Sequence, residues 1–283
     1  MSYARWKLIK FYPSSSAFMV GTAVVTKYNS GCLRSILIQS HGIREGEIAE
    51  LYQRCGKAAE DQHAADLRAE GLSFVPEVVL KAQLSPKVEY SGRADFVVQM
   101  PRAGTVVDEC KGHTSKNTRL SVIRKGEYNL SYLAQLVSYM VRLRTQKGRL
   151  VCGYYEEDAA GTLVRQEERT FKVEIDDEGV ILVDGASSGY SVADLLAHQK
   201  AVVDVLENQT VGPRPDKADL KYGGPCSYCP FKAACDQYDV TGGTTEEFLA
   251  AARTAVENLP PKPEPEAFKI KPARKGKSSE RAS

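Results

Sequence analysis

Asp95, Glu109 and Lys111 are the residues whose types and spacing could do chemistry. "GRADFVVQM" and "TVVDECKG" read as two strands joined by a turn at "PRAG". Asp95 comes early in the first strand and Glu109 late in the second, so an antiparallel hairpin would set both carboxylates at one end of the sheet. Two converging carboxylates repel, and one has its pKa raised unless a cation lies between them. A hard divalent ion with oxygen ligands resolves that conflict. Lys111 is two residues from Glu109 and so projects from the same face. There it could orient a water or offset charge developing on a phosphate. Asp108 projects from the opposite face and is read as structural. Taken alone, Glu-x-Lys is a weak signal, since most such pairs are surface ion pairs contributing at most ~1 kcal/mol.

Further residues stand in order around this pair. Gln135 and Tyr139 are four apart on the amphipathic segment "YNLSYLAQLVSYMVRLRTQ" and share a helix face. His63 lies on an upstream helical segment, where a neutral imidazole could supply a nitrogen ligand. The set resembles the RecB-like branch of the PD-(D/E)XK nuclease superfamily. Its marks are a helical His, a Gly-x-x-Asp strand, Glu-x-Lys and a Gln-x-x-x-Tyr helix, and "GRAD" replaces the Pro-Asp of the superfamily name. The resemblance implies that His63, Asp95, Glu109 and the Cys110 backbone carbonyl hold Mg2+ or Mn2+. It implies also that Asp95, Glu109, Lys111, Gln135 and Tyr139 form the catalytic set.

"CSYCPFKAAC" places Cys226, Cys229 and Cys235 in a loop rich in Gly and Pro. Three close thiols need a fourth to complete a tetrathiolate site. Cys55, Cys110 and Cys152 fall in helical or strand patterns, where Cys is usually a small buried hydrophobe. Cys32, behind a Gly, is the best fourth candidate. Closing that loop of roughly 190 residues costs about 4–5 kcal/mol, well below the ~10 kcal/mol a structural thiolate site can supply. One Cys before the core and three after it is similar to the Cas-four family, the CRISPR-associated RecB-like nucleases, and to the nuclease domain of AddB. That resemblance implies a 4Fe-4S cluster on Cys32, Cys226, Cys229 and Cys235. Zn2+ is the competing occupant, although zinc ribbons usually present two C-x2-C knuckles.

The elements that must position these residues follow from periodicity. A helix over 45–72, three strands, the helix around Gln135 and a further strand at "GRLVCGYYEE" describe an α/β core. The expected fold is therefore α/β, a PD-(D/E)XK restriction-endonuclease-like core with an iron-sulfur domain built from N- and C-terminal segments. Its divisions are 1–55, carrying the first cluster Cys, and the nuclease core, 56–160. An additional hairpin and helix occupy 161–210, the Cys-rich segment 211–245, and a disordered basic tail 258–283.

Net charge is only +2, so no global field demands a nucleic-acid partner. Seven Lys/Arg against three Glu put +4 on residues 260–283 and leave −2 elsewhere. A DNA path would therefore be a local arrangement, for which Lys57, Arg93, His113, Lys116, Arg119 and Arg124 are candidates. No apolar run spans a bilayer and no signal peptide is recognisable. A cytoplasmic protein without structural disulfides is expected, in keeping with an odd count of seven Cys.

The expected activity is metal-dependent exonuclease hydrolysis of phosphodiester bonds, acting on single-stranded DNA or DNA ends. The resemblance implies 5′-to-3′ polarity, a role in CRISPR spacer acquisition or phage and mobile-element recombination and repair, and CRISPR integrase or recombination proteins as partners. It allows a homo-oligomer too. The alternative is a non-catalytic DNA-binding iron-sulfur partner in an adaptation or recombination complex.

Overall fold

A computed structural model describes residues 9–20, 23–25, 31–43, 50–215, 226 and 229–259. The basic tail expected from 258 lies outside the described residues beyond Leu259. In chain order the strands are β1 (Ile9–Phe11), β2 (Phe18–Val20), β3 (Ala23–Val25), β4 (Ser73–Gln83), β5 (Val88–Met100), β6 (Gly104–His113), β7 (Lys147–Glu157), β8 (Leu163–Ile175), β9 (Val180–Val183) and β10 (Ala186–Ser191). The helices are α1 (Leu33–Ser40), α2 (Glu50–Ala69), α3 (Lys116–Thr118), α4 (Leu130–Leu143), α5 (Val192–Asn208), α6 (Lys232–Thr241) and α7 (Thr245–Glu257). A π-turn, Arg119–Arg124, follows α3.

Eight strands form one mixed sheet. β5 pairs antiparallel with β4 along one edge and shares its other edge between two partners. Parallel β1 takes Val88–Tyr90, whereas antiparallel β6 takes Phe96–Met100. Neither partner covers 91–95. β6 then runs parallel to β7, and β7 to β10 follow as antiparallel neighbours. The additional hairpin expected within 161–210 thus continues the central sheet. The order α2, β4, β5, β6, α4, β7 is the one the periodicity gives.

Both faces of the sheet are covered, so the middle of β6 is buried residue after residue. α2 lays the i, i+4 row Cys55, Ala59, His63 and Leu67 on one face, beside Phe96, Val98 and Cys110. A Cβ at Gly112 would lie 2.2 Å from the Cys55 carbonyl oxygen, so this crossing admits only glycine there. α4 covers the other face with Leu133, Leu136, Val137 and Met140. Its N-terminus is capped by Asn129, whose side chain accepts the Ser131 N–H at 2.9 Å. A separate core joins Phe11 and α1 to α5, Phe231, α6 and Phe248 of α7. N- and C-terminal segments therefore share one apolar core.

Candidate active site

The site lies where β1 and β6 part along β5. Asp95 is the last residue before the β6 pairing begins at Phe96 and Asp108. Beyond that pair β6 leaves β5, and the backbone N–H of Cys110 donates instead to Asp95 Oδ2 at 2.8 Å. A strand residue sends its N–H and C=O to the same side. The Cys110 carbonyl therefore faces the fork with Asp95. The hairpin geometry expected of Asp95 and Glu109 is present, with an unpaired stretch of strand between them.

Glu109 is 1% exposed. Its Oε1 accepts from Lys111 Nζ at 2.5 Å, and its Oε2 is a buried oxygen with no hydrogen-bond partner. Burial pushes the Glu109 carboxyl up to about 8, against the pull of Lys111 and helped by the charge of Asp95. Burial also raises Asp95, opposed by Lys111 and the Cys110 N–H. For the Lys111 ammonium, burial works downward, but Glu109 and Asp95 together outweigh it and hold the proton on. Lys111 Nζ also donates to Gln135 Oε1 at 3.2 Å, and Gln135 Nε2 donates to the Tyr139 hydroxyl at 3.1 Å. Glu109, Lys111, Gln135 and Tyr139 thus form one continuous line. Gln135 and Tyr139 reach Glu109 only by way of Lys111 in this line. Tyr139 is buried and keeps its proton.

His63 stands on the other face. Its Nε2 is 2.8 Å from Asp108 Oδ2, and Arg149 forks onto the same carboxylate. The ring also packs edge-on against Phe96. His63 and Asp95 are close enough to interact electrostatically, but the hydrogen bond the ring makes is to Asp108. Among the described residues no three His, Cys, Asp or Glu side chains close on a single point as ligands of one ion. Here Glu109 is neutralised by the Lys111 ammonium. The donor set nevertheless fits a hard divalent cation, because Glu109 Oε2 is an orphaned buried acceptor beside a second carboxylate and an inward carbonyl.

Two contributors were missed in the sequence. Glu60, one turn before His63 on α2, has its pKa raised by burial and then by Asp95, and it acts on Glu109 in turn. Its i, i+3 spacing to His63 was the available signal. Pro13 is the other. A Cβ at Gly92 would fall 2.5 Å from Pro13 Cγ and 3.0 Å from Tyr139 Cε1. Gly92 is thus required by space and not by backbone angle. Gly92→Ala is expected to cost about 1–3 kcal/mol by overpacking. By shifting Tyr139 it should slow cleavage by up to about a hundredfold, and urea unfolding beside a cleavage assay checks both.

The expected basic path is assembled only in part. Lys57 and Arg93 line an open groove with Glu60 and Glu77. Arg119 and Arg124 both reach across to Glu167 on β8, and His113 stacks on Tyr132. Lys116 is in the short α3.

Cys32, Cys226, Cys229 and Cys235 line one pocket with Arg34 and Arg214. Cys32 is the N-cap of α1, and His198 of α5 ties down the Gly31 carbonyl before it at 2.7 Å. Burial lowers the His198 pKa to about 4, so the ring is neutral. Burial pushes the Cys32 thiol up to about 12, while the N–H groups of Ser35 and Arg34 favour its thiolate. Cys235 is raised by burial as well, opposed by Arg34 and Arg214. Cys55 and Cys152 have no such donors and sit in the apolar clusters. Four thiols share this pocket without closing on one point.

A forked mixed sheet flanked by α2 and α4 brings Asp95, Glu109, Lys111 and Gln135 together at the fork. Residues 34–236, more than half of the chain, match the PD-(D/E)XK nuclease superfamily, and the chain belongs to that superfamily. No curated protein matches it. Among solved structures it is similar to an alkaline exonuclease from Laribacter hongkongensis, at 14% identity and TM-score 0.42 over 62% of this chain and 78% of that one. The same enzyme in complex with dAMP gives 15% and 0.43, with the same coverage. SSO0001 gives 15% and 0.42 over 80% of this chain and 86% of that one. No helix among the described residues is long and apolar enough to cross a membrane.

Proposed function

We propose that this chain is a divalent-metal-dependent DNA exonuclease that hydrolyses phosphodiester bonds at single-stranded ends. The observation that carries the reading is Glu109, a buried carboxylate with one oxygen on Lys111 and the other without a partner, beside Asp95. A structural ion pair has no use for that orphan, and a metal ligand does. Asp95, Glu109, His63 and the Cys110 carbonyl would hold Mg2+ or Mn2+. When bound, the ion supplies a Lewis acid that acidifies water and takes up charge on the phosphoryl oxygens. Lys111 donates a hydrogen bond that aims the attacking water oxygen at phosphorus, and its charge offsets the negative charge that grows as the bridging P–O bond breaks. Gln135 fixes the direction of the Lys111 ammonium, and Tyr139 fixes Gln135.

The four-thiol pocket is read as the seat of a 4Fe-4S cluster that clamps N- and C-terminal segments and takes no part in hydrolysis. Resemblance to the Cas-four family supports reading the reaction as part of CRISPR spacer acquisition or of phage and mobile-element DNA processing, with 5′-to-3′ polarity.

The test is degradation of end-labelled single strands with Mg2+ or Mn2+, abolished by chelator. Cation uptake must displace any proton on Glu109. Apparent metal affinity, and rate at subsaturating metal, should therefore climb with pH and level off near 8. Below that, the fall approaches about tenfold per pH unit for one displaced proton. A flat profile from pH 6 to 9 at subsaturating Mn2+ contradicts Glu109 as a ligand.

A further inference from the structure

Beside its buried row, α2 carries a second row at helical spacing, Tyr52, Gly56 and Glu60. With Lys57, Arg93 and Glu77 it lines an open groove of about 390 Å³. One end of the row reaches the carboxylates of the candidate site, since Glu60 interacts electrostatically with both Asp95 and Glu109. The other end is Tyr52, 65% exposed and the most exposed aromatic side chain among the described residues.

Two features of this groove have no use in the packing. Gly56 stands inside α2, where glycine weakens a helix relative to alanine. A Cβ there would meet no atom within 4 Å, and the backbone is helical, so neither space nor angle asks for glycine. What its bare backbone does keep is the hollow between Tyr52 and Glu60. Glu77 of β4 is held at φ 54, in the left-handed region, a strain that clusters at functional sites. Its carboxylate receives Arg93 at 2.8 Å, and Lys57 is paired with Asp61 at 2.7 Å. Both cations of the groove are thus neutralised, leaving no net positive charge to attract a phosphate. An exposed ring beside an electroneutral hollow suits the flat face of a base instead.

Resting on the reading of this chain as a DNA nuclease, we propose that the groove is a subsite for one unpaired nucleobase next to the scissile phosphate, stacked on Tyr52 over Gly56. A base inside a duplex is paired and stacked on both sides and cannot enter. The groove therefore selects single-stranded or frayed ends.

The test is fluorescence anisotropy of a labelled oligothymidylate strand in chelator, where binding is read without cleavage. Wild type is compared with Tyr52→Phe, Tyr52→Ala and Gly56→Met. Tyr52→Ala should weaken binding about 5–150-fold, the scale for one stacked base, whereas Tyr52→Phe keeps the ring face and should stay within about twofold. Gly56→Met should weaken binding about tenfold or more by filling the hollow. It should melt at or above the wild-type temperature, because methionine favours a helix where nothing obstructs it. The KM for cleavage in Mn2+ should move with each affinity. In strands carrying one abasic site at successive positions, wild type should lose affinity at a position to which Tyr52→Ala is indifferent. If Tyr52→Ala loses the same factor on intact and abasic strands at every position, the ring does not stack a base and the inference falls. Equal affinity and equal KM for all four proteins overturn the groove alone and leave the nuclease reading standing. Wild type that neither binds nor cuts the strand removes both.

Discussion

Lys111→Ala is expected to lower nuclease turnover by about 10²–10³-fold, the scale for removing one preorganised electrostatic group from an active site. The side chain touches three things at once: Glu109 at 2.5 Å, Gln135 at 3.2 Å and the face of Tyr132 at 5.1 Å. Its loss removes the donor proposed to aim the water and leaves Gln135 and Tyr139 holding nothing. The fold should survive. Breaking a buried ion pair ordinarily costs about 3–5 kcal/mol because an uncompensated charge stays behind. Glu109 escapes most of that cost, since burial already holds its pKa near 8 and it can take up a proton instead. The metal-free variant should therefore melt close to wild type at pH 7. Thermal unfolding followed by circular dichroism and single-turnover cleavage separate the two effects.

Cys32→Ala should bleach the protein and loosen the joint between its two ends. Cys32 lines the pocket with Cys226, Cys229 and Cys235 and lies on the α1 side of the core shared with α6 and α7. A thiolate-bound centre there closes a loop of roughly 190 residues, offsetting about 4–5 kcal/mol of chain entropy. At about 2–4 °C per kcal/mol, its loss should lower the melting temperature by roughly 10 °C or more. Cys152, buried in the sheet core without donors to its sulfur, is the control. Cys152→Ala should keep iron and colour. Iron and zinc analysis with an absorbance spectrum of anaerobically purified protein decides the point. Stoichiometric zinc with no iron would replace the cluster by the zinc reading.

The acid–base centre was legible because its pattern is local. Period-two alternation put Glu109 with Lys111 and set Asp108 apart, and the turn at "PRAG" brought Asp95 across from Glu109. Helical spacing did the same for Gln135 and Tyr139. What stayed hidden depends on contacts distant in sequence. Arg149 meets Asp108 through a parallel crossover that no local pattern marks. Pro13 approaches Gly92 because β1 adds to the free edge of β5, a pairing three residues long. The additional hairpin within 161–210 could not be assigned to the central sheet, because antiparallel neighbours look alike whether they extend a sheet or stand apart. His63 was identifiable as a residue, but its tie to Asp108 was not.

The most direct measurement is release of labelled nucleotide from single-stranded DNA ends by purified protein in Mn2+, wild type beside Lys111→Ala. The geometry of Asp95, Glu109 and Lys111 predicts rapid release by wild type, none with chelator, and at most about one hundredth of the rate from the variant. Wild-type protein that binds the strand but leaves it intact in Mn2+, or a variant that degrades it at the wild-type rate, would contradict the account.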